Sequence, residues 1–203
     1  MDWLNRDLYL IFTPSLCRSD PWTTLTECLG AGVQLVQWRA PLVDSEDLKR
    51  CAEACGQHQV PLIVNNDVTA AALCAGAAGS HIGQDDMAPS HARQALRPDQ
   101  VLGISSHNLI QAQQAVADGA DCIGIGPCYA STTKGYQTGL SAATLRSVFE
   151  RIKIPSYAIG GITAERVAEL RSLGCQRVAV SQSILGAIQP GREVERILTA
   201  LHS

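Results

Sequence analysis

Residues 101–127 read VLGISSHNLIQAQQAVADGADCIGIGP, and this stretch decides the fold prediction. Residues 101–104 form a short apolar run, which is typical of a buried strand. After a polar turn, residues 109–117 have an amphipathic helical pattern, and a second apolar run follows at 122–125. Strand, helix and strand in this order predict two parallel strands joined by a crossover helix.

The same unit recurs on both sides of this stretch. We predict helix caps at Asp44 or Ser45, at Ser141 and at Thr163. Strands are predicted near residues 8–12, 33–38, 61–64, 79–82, 101–104, 122–125, 156–159 and 177–180, with helices near 22–31, 45–56, 68–75, 89–96, 109–117, 142–152, 164–173 and 192–201. Eight alternating units favour an α/β fold, a (β/α)8 TIM barrel formed by residues 1–203 as a single domain. An open doubly wound sheet is the alternative, but no strand is followed by a GxGxxG phosphate motif.

Composition excludes several classes of protein. The chain has 203 residues, 16 Lys and Arg, 19 Asp and Glu, and a net charge of -3. We expect no nucleic-acid partner, because phosphate neutralisation needs clustered basic residues. We expect no membrane span and a cytoplasmic location, because neither a long apolar stretch nor a signal-like amino terminus is present. The eight cysteines are scattered, and even the Cys51–Cys55 pair is interpreted as buried small hydrophobes, not as a metal site.

Polar residues follow nearly every predicted strand. In a barrel these positions converge on one face, so the set predicts a site there, although any single one of them is commonly a cap or turn former. Gly160, Gly161 and the Ser181–Gln182 turn predict a phosphate corner, unless the glycines only make a tight turn. Arg39 and Lys134 are candidates for a second anion. Asp85 and Asp86 are candidates for Mg2+ on a diphosphate, with an exposed acidic turn as the alternative.

The segment 127–140 is the longest predicted loop, and it is interpreted either as a lid or as a surface loop. Within the predicted site, His107 is a candidate for acid–base chemistry, with a structural histidine as the alternative.

The strand-end motifs, taken together, resemble the thiamine phosphate synthase family and its thiazole tautomerase relative, TenI. The matching runs are GVQLVQWR at 32–39, LIVNN at 62–66, GSHIGQDD at 79–86, LGISSH at 102–107, GADCIGIGP at 119–127, TTK at 132–134 and AIGGI at 158–162. The resemblance implies coupling of hydroxymethylpyrimidine diphosphate to hydroxyethylthiazole phosphate, with Mg2+ assisting departure of pyrophosphate. These small molecules are the implied partners, and a homo-oligomer is left open.

The resemblance also implies roles for individual residues. Ser105 and Lys134 would be catalytic, and His107 would be catalytic in the tautomerase. The implied metal ligands are Asp86 and Asn66. The implied substrate contacts are Gln37, Arg39, Asn65, His81, Ser131, Thr133, Gly160, Gly161, Ser181 and Gln182.

Two positions depart from the family pattern. Pro41 stands where the family has a lysine, and Asn66 stands where it has an aspartate. Both changes weaken the diphosphate half of the site, whereas the thiazole-phosphate half keeps its pattern. This asymmetry suits a tautomerase that uses His107. The synthase pattern is nevertheless kept at Gln37, Gln84, Asp85, Asp86 and Lys134, so we favour the synthase, with that tautomerase and a non-catalytic barrel that binds a thiazole phosphate as alternatives.

Overall fold

The computed structural model describes residues 6–130 and 138–203. Its strands are all parallel and close into a barrel in sequence order, with β8 paired to β1. The strands are β1 (Leu8–Phe12), β2 (Leu35–Trp38), β3 (Leu62–Asn65), β4 (Ala77–Ile82), β5 (Val101–Ser106), β6 (Cys122–Ile125), β7 (Ser156–Ile159) and β8 (Arg177–Val180). The (β/α)8 prediction is confirmed, and the open-sheet alternative is excluded by the β1–β8 pairing.

Each predicted helix is present close to its expected position. The helices are α1 (Pro21–Gly30), α2 (Ser45–Gln57), α3 (Val68–Leu73), α4 (Pro89–Ala95), α5 (Leu109–Ala117), α6 (Ala142–Arg151), α7 (Ala164–Ser172), α8 (Gln182–Leu185) and α9 (Pro190–His202). The largest differences in helix boundaries are two residues: α3 ends at Leu73 instead of residue 75, and α9 begins at Pro190 instead of residue 192. Proline is well suited to the first turn of a helix because its missing N–H needs no partner there.

Side-chain alternation along the strands produces two buried layers. In β1, Leu8, Leu10 and Phe12 face the helices, whereas Tyr9 and Ile11 face the barrel interior. This period of two is expected of a strand whose two faces are both buried. The interior cluster comprises Tyr9, Ile11, Leu35, Ile63, Val101, Cys122, Tyr157 and Ala179. It fills the barrel below the carboxyl ends of the strands. The opening for a site is therefore at the carboxyl end of the barrel.

An aromatic cluster packs outside the barrel at the end of β2. The rings of Trp22 and Trp38 stack with their centroids 6.1 Å apart, and Phe12 lies 5.8 Å from Trp38. The Arg50 guanidinium covers the other side of this cluster, 4.3 Å from the Trp22 ring centroid. Trp38 is 1% exposed, so the cluster anchors the strand that leads directly to Arg39.

The predicted caps can be compared with hydrogen bonds. Asp44 accepts from the N–H groups of Glu46 and Asp47, at 2.8 and 3.0 Å, and Ser141 accepts from Thr144 N at 3.2 Å. Both caps are therefore confirmed. Thr163 occupies the cap position of α7 without a side-chain bond to the helix backbone.

Most of the cysteines are buried, as predicted. All eight cysteines are free thiols, and six of them, including Cys51 and Cys55, are buried. Within residues 6–130 and 138–203, no helix is long and apolar enough to cross a membrane.

Candidate functional site

A cavity of about 410 Å3 opens at the carboxyl ends of the strands. It is lined from β2 by Arg39, from β5 by Ser105 and His107, and from the far side by the ends of β6, β7 and β8. Predicted residues that line it are Arg39, Ser105, His107, Gly160, Gly161, Ser181 and Gln182. The structure thus brings into one cavity residues that lie up to 143 positions apart in the chain.

The Gly160–Gly161 pair turns the chain sharply after β7. Their φ angles are +100° and +64°, in the left-handed region that disfavours side chains. A Cβ on Gly160 would lie 2.8 Å from Pro127 Cα, and one on Gly161 would lie 2.8 Å from Ala130 O. The glycines therefore allow the segment after β6 to approach the backbone closely on this side of the cavity.

The short helix α8 completes this corner. Its cap residue Ser181 donates from Oγ to Ile11 O at 2.9 Å, and Ser183 Oγ donates to Ile162 O at 2.8 Å. These bonds tie α8 to β1 and to the residue after the glycine turn. Because the first N–H groups of a helix lack intrahelical partners, those of Gln182 and Ser183 are available to an anion.

His81 occupies the barrel interior beneath the cavity. It is 7% exposed, and its Nε2 lies 3.0 Å from Ser105 Oγ. The imidazole fits because two neighbouring strands carry glycine beside it: a Cβ on Gly103 would lie 2.3 Å from His81 Nδ1, and one on Gly124 would lie 3.4 Å from Cε1. His81 therefore holds the Ser105 side chain at the floor of the cavity.

Gln37 lies deeper than its predicted role suggests. It is 4% exposed, it does not line the cavity, and its Nε2 donates to Tyr9 Oη at 2.8 Å. Burial is the largest cause that raises the pKa of Tyr9, so this phenol stays protonated. In this structure the Gln37 amide makes a buried hydrogen bond between β1 and β2 inside the barrel, one layer below Arg39.

Asn65 ends β3, half-buried and paired in register with His81. The next residue, Asn66, has a φ of +62°, which asparagine tolerates better than most residues. Its Nδ2 donates to Asp86 Oδ1 at 3.0 Å, and Asp86 Oδ2 accepts from Gly83 N at 2.6 Å. The two predicted metal ligands are therefore adjacent, although they come from different strands.

Asp67 does not replace the missing carboxylate. Its Oδ1 accepts from Ala70 N at 2.8 Å, so it caps α3. In the part of the chain that the structure describes, no group of three or more His, Cys, Asp or Glu side chains could hold a metal. The local donor set is one carboxylate and one amide, beside the exposed Asp85.

His107 lies on the cavity wall with a defined ring orientation. Its Nδ1 is 2.5 Å from Gly126 O, and its backbone N–H donates to Gln111 Oε1 at 2.7 Å. A carbonyl oxygen only accepts hydrogen bonds, so Nδ1 carries a hydrogen here. In the neutral imidazole, Nε2 is then the basic nitrogen.

Three predicted residues, Ser131, Thr133 and Lys134, lie outside the described residues, as does much of the predicted loop 127–140. Its described beginning is well anchored, since Cys128 N donates to Ile159 O at 2.8 Å and Tyr129 N to Gly160 O at 3.1 Å.

Sequence reasoning missed one cation of the cavity. Arg166, in the first turn of α7, lines it beside Gly161 and Thr163. It lies three residues after the Thr163 cap, so by sequence alone it is a residue of the first helical turn. The sequence feature that could have identified Arg166 is its position shortly after the glycine pair. A left-handed turn at these glycines folds the start of the next helix back over the end of β7.

The chain is similar to known proteins over most of its length. A family model described as thiamine monophosphate synthase matches residues 8–184. A thiamine-phosphate synthase of Gloeobacter violaceus is 36% identical over 199 residues, covering 96% of this chain and 57% of that protein. One from Methanobrevibacter smithii is 33% identical over 202 residues, covering 98% of this chain and 96% of that protein. The chain thus spans little more than half the length of some relatives and nearly all of another.

Solved structures show the same relationship. A thiamine phosphate pyrophosphorylase from Pyrococcus furiosus superimposes with a TM-score of 0.86 at 25% identity, over 97% of this chain and 96% of that one. A 3-hexulose-6-phosphate synthase superimposes with a TM-score of 0.73 at 16% identity, over 96% and 99% of the two chains. At that identity the second match shows a shared fold only.

Proposed function

Because the chain belongs to the thiamine monophosphate synthase family, as the family model and the relatives show, we propose that it is a thiamine phosphate synthase. It would join hydroxymethylpyrimidine diphosphate to hydroxyethylthiazole phosphate. The bond between the pyrimidine methylene carbon and the diphosphate oxygen breaks, and the bond from that carbon to the thiazole nitrogen forms. The products are thiamine phosphate and pyrophosphate.

One observation carries the proposal: a single cavity joins two regions whose hydrogen-bond donors and charge suit an anion. One region is the Gly160–Gly161 turn with the first turn of α8, and the other is Arg39 at the end of β2. The reaction needs two phosphorylated substrates in contact, and the cavity of about 410 Å3 is in the usual size range of small-molecule sites. Binding both substrates in one space supplies much of the rate enhancement, because it replaces a chance encounter with a fixed orientation.

The residues of the diphosphate half act through charge and position. Arg39 offers a planar guanidinium that can bind two oxygens of a departing diphosphate. Ser105, held 3.0 Å from His81 Nε2, offers a hydroxyl at the cavity floor. A fixed donor stabilises charge that develops on the leaving group without reorganising during the reaction.

The donor set at Asn66 and Asp86 fits Mg2+ that is held mainly by substrate and water. Mg2+ in proteins commonly has one or two carboxylate ligands and takes the rest from phosphates and water. Asp86 would supply the charge, and a half-turn of the Asn66 amide about χ2 would present Oδ1 in place of Nδ2. Mg2+ bound here would neutralise charge on the diphosphate.

The assay is formation of thiamine phosphate and pyrophosphate in equal amounts from the two substrates and Mg2+. We expect activity that Arg39→Met lowers and that Arg146→Met, a matched change at an exposed position on α6, leaves unchanged. Asn66→Asp should lower the Mg2+ concentration needed for half-maximal activity, because it adds a carboxylate beside Asp86. Absence of product from the unmodified protein in excess Mg2+ refutes the proposal.

The position of His107 favours a second candidate, thiazole tautomerisation. Its Nδ1 is committed to Gly126 O, which leaves Nε2 as the basic nitrogen of a ring that lines the cavity. Such a group can move a proton on a thiazole carboxylate phosphate. Aromatisation of that compound, lost in His107→Ala and unaffected by Arg39→Met, would support the tautomerase. Saturable binding without either turnover would instead indicate a non-catalytic barrel.

A further inference from the structure

Tyr129, Arg166 and Glu169 form a cluster at the rim of the cavity. Tyr129 belongs to the segment after β6, whereas Arg166 and Glu169 lie on α7. The Arg166 guanidinium carbon is 4.5 Å from the Tyr129 ring centroid, and Tyr129 Oη donates to Glu169 Oε2 at 2.8 Å. The aromatic ring is therefore held on one face by a cation and at its hydroxyl by a carboxylate.

The same guanidinium also binds the glycine turn. Arg166 Nη1 donates to Gly161 O. In a trans peptide the carbonyl and the following N–H point in opposite directions, so fixing the Gly161 carbonyl fixes the Ile162 N–H on the other side. Two consecutive residues at positive φ have wide conformational freedom when they are glycines. An external hydrogen bond is thus needed to hold this peptide in one orientation.

Tyr129 contributes a second restraint on the same turn. Its backbone N–H donates to Gly160 O at 3.1 Å, and a Cβ on Gly161 would lie 2.9 Å from Tyr129 Cβ. The backbone and Cβ of Tyr129 therefore lie against the turn, and its ring extends from there to Arg166. Tyr129 thus holds Arg166 in place and packs directly against the peptide that Arg166 binds.

Charge gives this cluster a direct relation to an anion. Among the described residues that line the cavity, the arginines are Arg39 and Arg166, and only Arg166 is beside the glycine corner. A guanidinium has five N–H donors, and the bond to Gly161 O uses one of its nitrogens. Its positive charge therefore acts on the corner where backbone N–H groups are the other donors.

We propose that Arg166, held by Tyr129 and Glu169, is a positioning residue that sets the Gly160–Gly161 turn for the phosphate of the thiazole substrate. This inference rests on the proposed use of that corner for thiazole phosphate. It gives α7 a part in substrate specificity. It also predicts that a change at Arg166 weakens binding of the thiazole phosphate and leaves binding of the pyrimidine diphosphate unchanged.

The test compares kinetic constants for the two substrates in Arg166→Met. We expect KM for thiazole phosphate to rise about tenfold, the size of one lost charge-assisted hydrogen bond. We expect kcat and KM for pyrimidine diphosphate to stay near the unmodified values. Arg166→Lys should give an intermediate KM, because an ammonium can donate to Gly161 O but cannot lie flat on the Tyr129 ring.

Two further variants keep the test decisive. Tyr129→Phe keeps the ring and removes the bond to Glu169, so it should raise KM for thiazole phosphate by a smaller factor. Arg171→Met, an exposed arginine of the same helix, is the matched control and should leave that KM unchanged. If Arg166→Met fails to fold, as judged by circular dichroism, Arg166→Lys and Tyr129→Phe carry the comparison.

The outcomes separate this inference from the proposed function. An unchanged KM for thiazole phosphate in a folded, active Arg166 variant overturns the inference, as does an equal rise for both substrates. Calorimetric titration with thiazole phosphate alone covers the case in which the unmodified protein makes no product. Weaker binding in Arg166→Met would then support the inference while the synthase proposal fails, and equal binding would overturn it.

Discussion

Replacing Gly103 with alanine should displace His81 and destabilise the barrel. The new Cβ would lie 2.3 Å from Nδ1 and 3.1 Å from Cγ of the imidazole, and 3.2 Å from Cys122 Sγ. Ordinary carbon contacts begin near 3.4 Å, so the ring must retreat by about 1 Å inside a closed and filled barrel. Overpacking of this kind costs about 1–3 kcal/mol of unfolding free energy.

Gly124→Ala is the matched control, because Gly124 contacts the same ring from the next strand. Its Cβ would lie 3.4 Å from His81 Cε1, an ordinary contact. Both substitutions reduce the conformational entropy of the unfolded chain to a similar extent. This adds about 0.5–1 kcal/mol to the unfolding free energy of each variant and cancels when the two are compared. The difference in unfolding free energy between the two variants should therefore be about 1–3 kcal/mol, with Gly103→Ala the less stable.

Urea denaturation followed by circular dichroism measures this difference. Gly103→Ala should also lose activity beyond its loss of stability, because the bond between His81 Nε2 and Ser105 Oγ depends on the ring position. Equal urea midpoints for the two variants would refute the reasoning. So would a Gly103→Ala protein of lower stability with unchanged kinetics, since the ring would then have moved without consequence for the cavity.

Three further predictions concern a cap, a missing cation and the buried thiols. Asp67→Ala should lose about 1 kcal/mol of unfolding free energy, as measured in urea, because the α3 cap is removed; its Mg2+ requirement should stay unchanged, and a changed requirement would make Asp67 a ligand. Pro41→Lys should lower KM for pyrimidine diphosphate by about threefold, whereas Leu42→Lys, one residue further along the exposed loop, should not; equal effects would indicate a general charge effect. Burial raises the pKa of the Cys28 and Cys122 thiols from 9.0 to about 12, so these groups ionise first in the unfolded chain. Their contribution to stability is present below pH 9 and should be lost between pH 9 and pH 12. The urea midpoint should therefore fall over this pH range, and it should fall less in a variant with serine at both positions.

The fold was predictable because each local signal agreed with the barrel. Strands β1, β6, β7 and β8 and helix α5 have the bounds that the apolar runs predicted. Short apolar runs bounded by polar turns indicate where each strand lies, and the number of units favoured closure over an open sheet. Other boundaries were predicted less exactly, with differences of two residues at one end of β2, β4, β5, α3 and α9.

The site was predictable in its location but only partly in its contacts. Strand-end residues converge because parallel strands share one end, so Arg39, Ser105, His107 and Gly161 could be assigned to one face. The Gln37–Tyr9 bond joins side chains of neighbouring strands inside the barrel, and no local pattern distinguishes that partner from a substrate. Arg166 was missed for a similar reason, since its contact with Gly161 depends on a left-handed turn that the sequence permits but does not specify.

The stacked Trp22 and Trp38 rings have an experimental consequence. Trp38 directly precedes Arg39, and its indole is shielded from water by Phe12 and Trp22. Its fluorescence should therefore be emitted at shorter wavelength than that of a hydrated indole. A diphosphate that pulls Arg39 into the cavity would alter the stacking at the end of β2, so its binding can be followed as a change in intrinsic emission without attaching a dye.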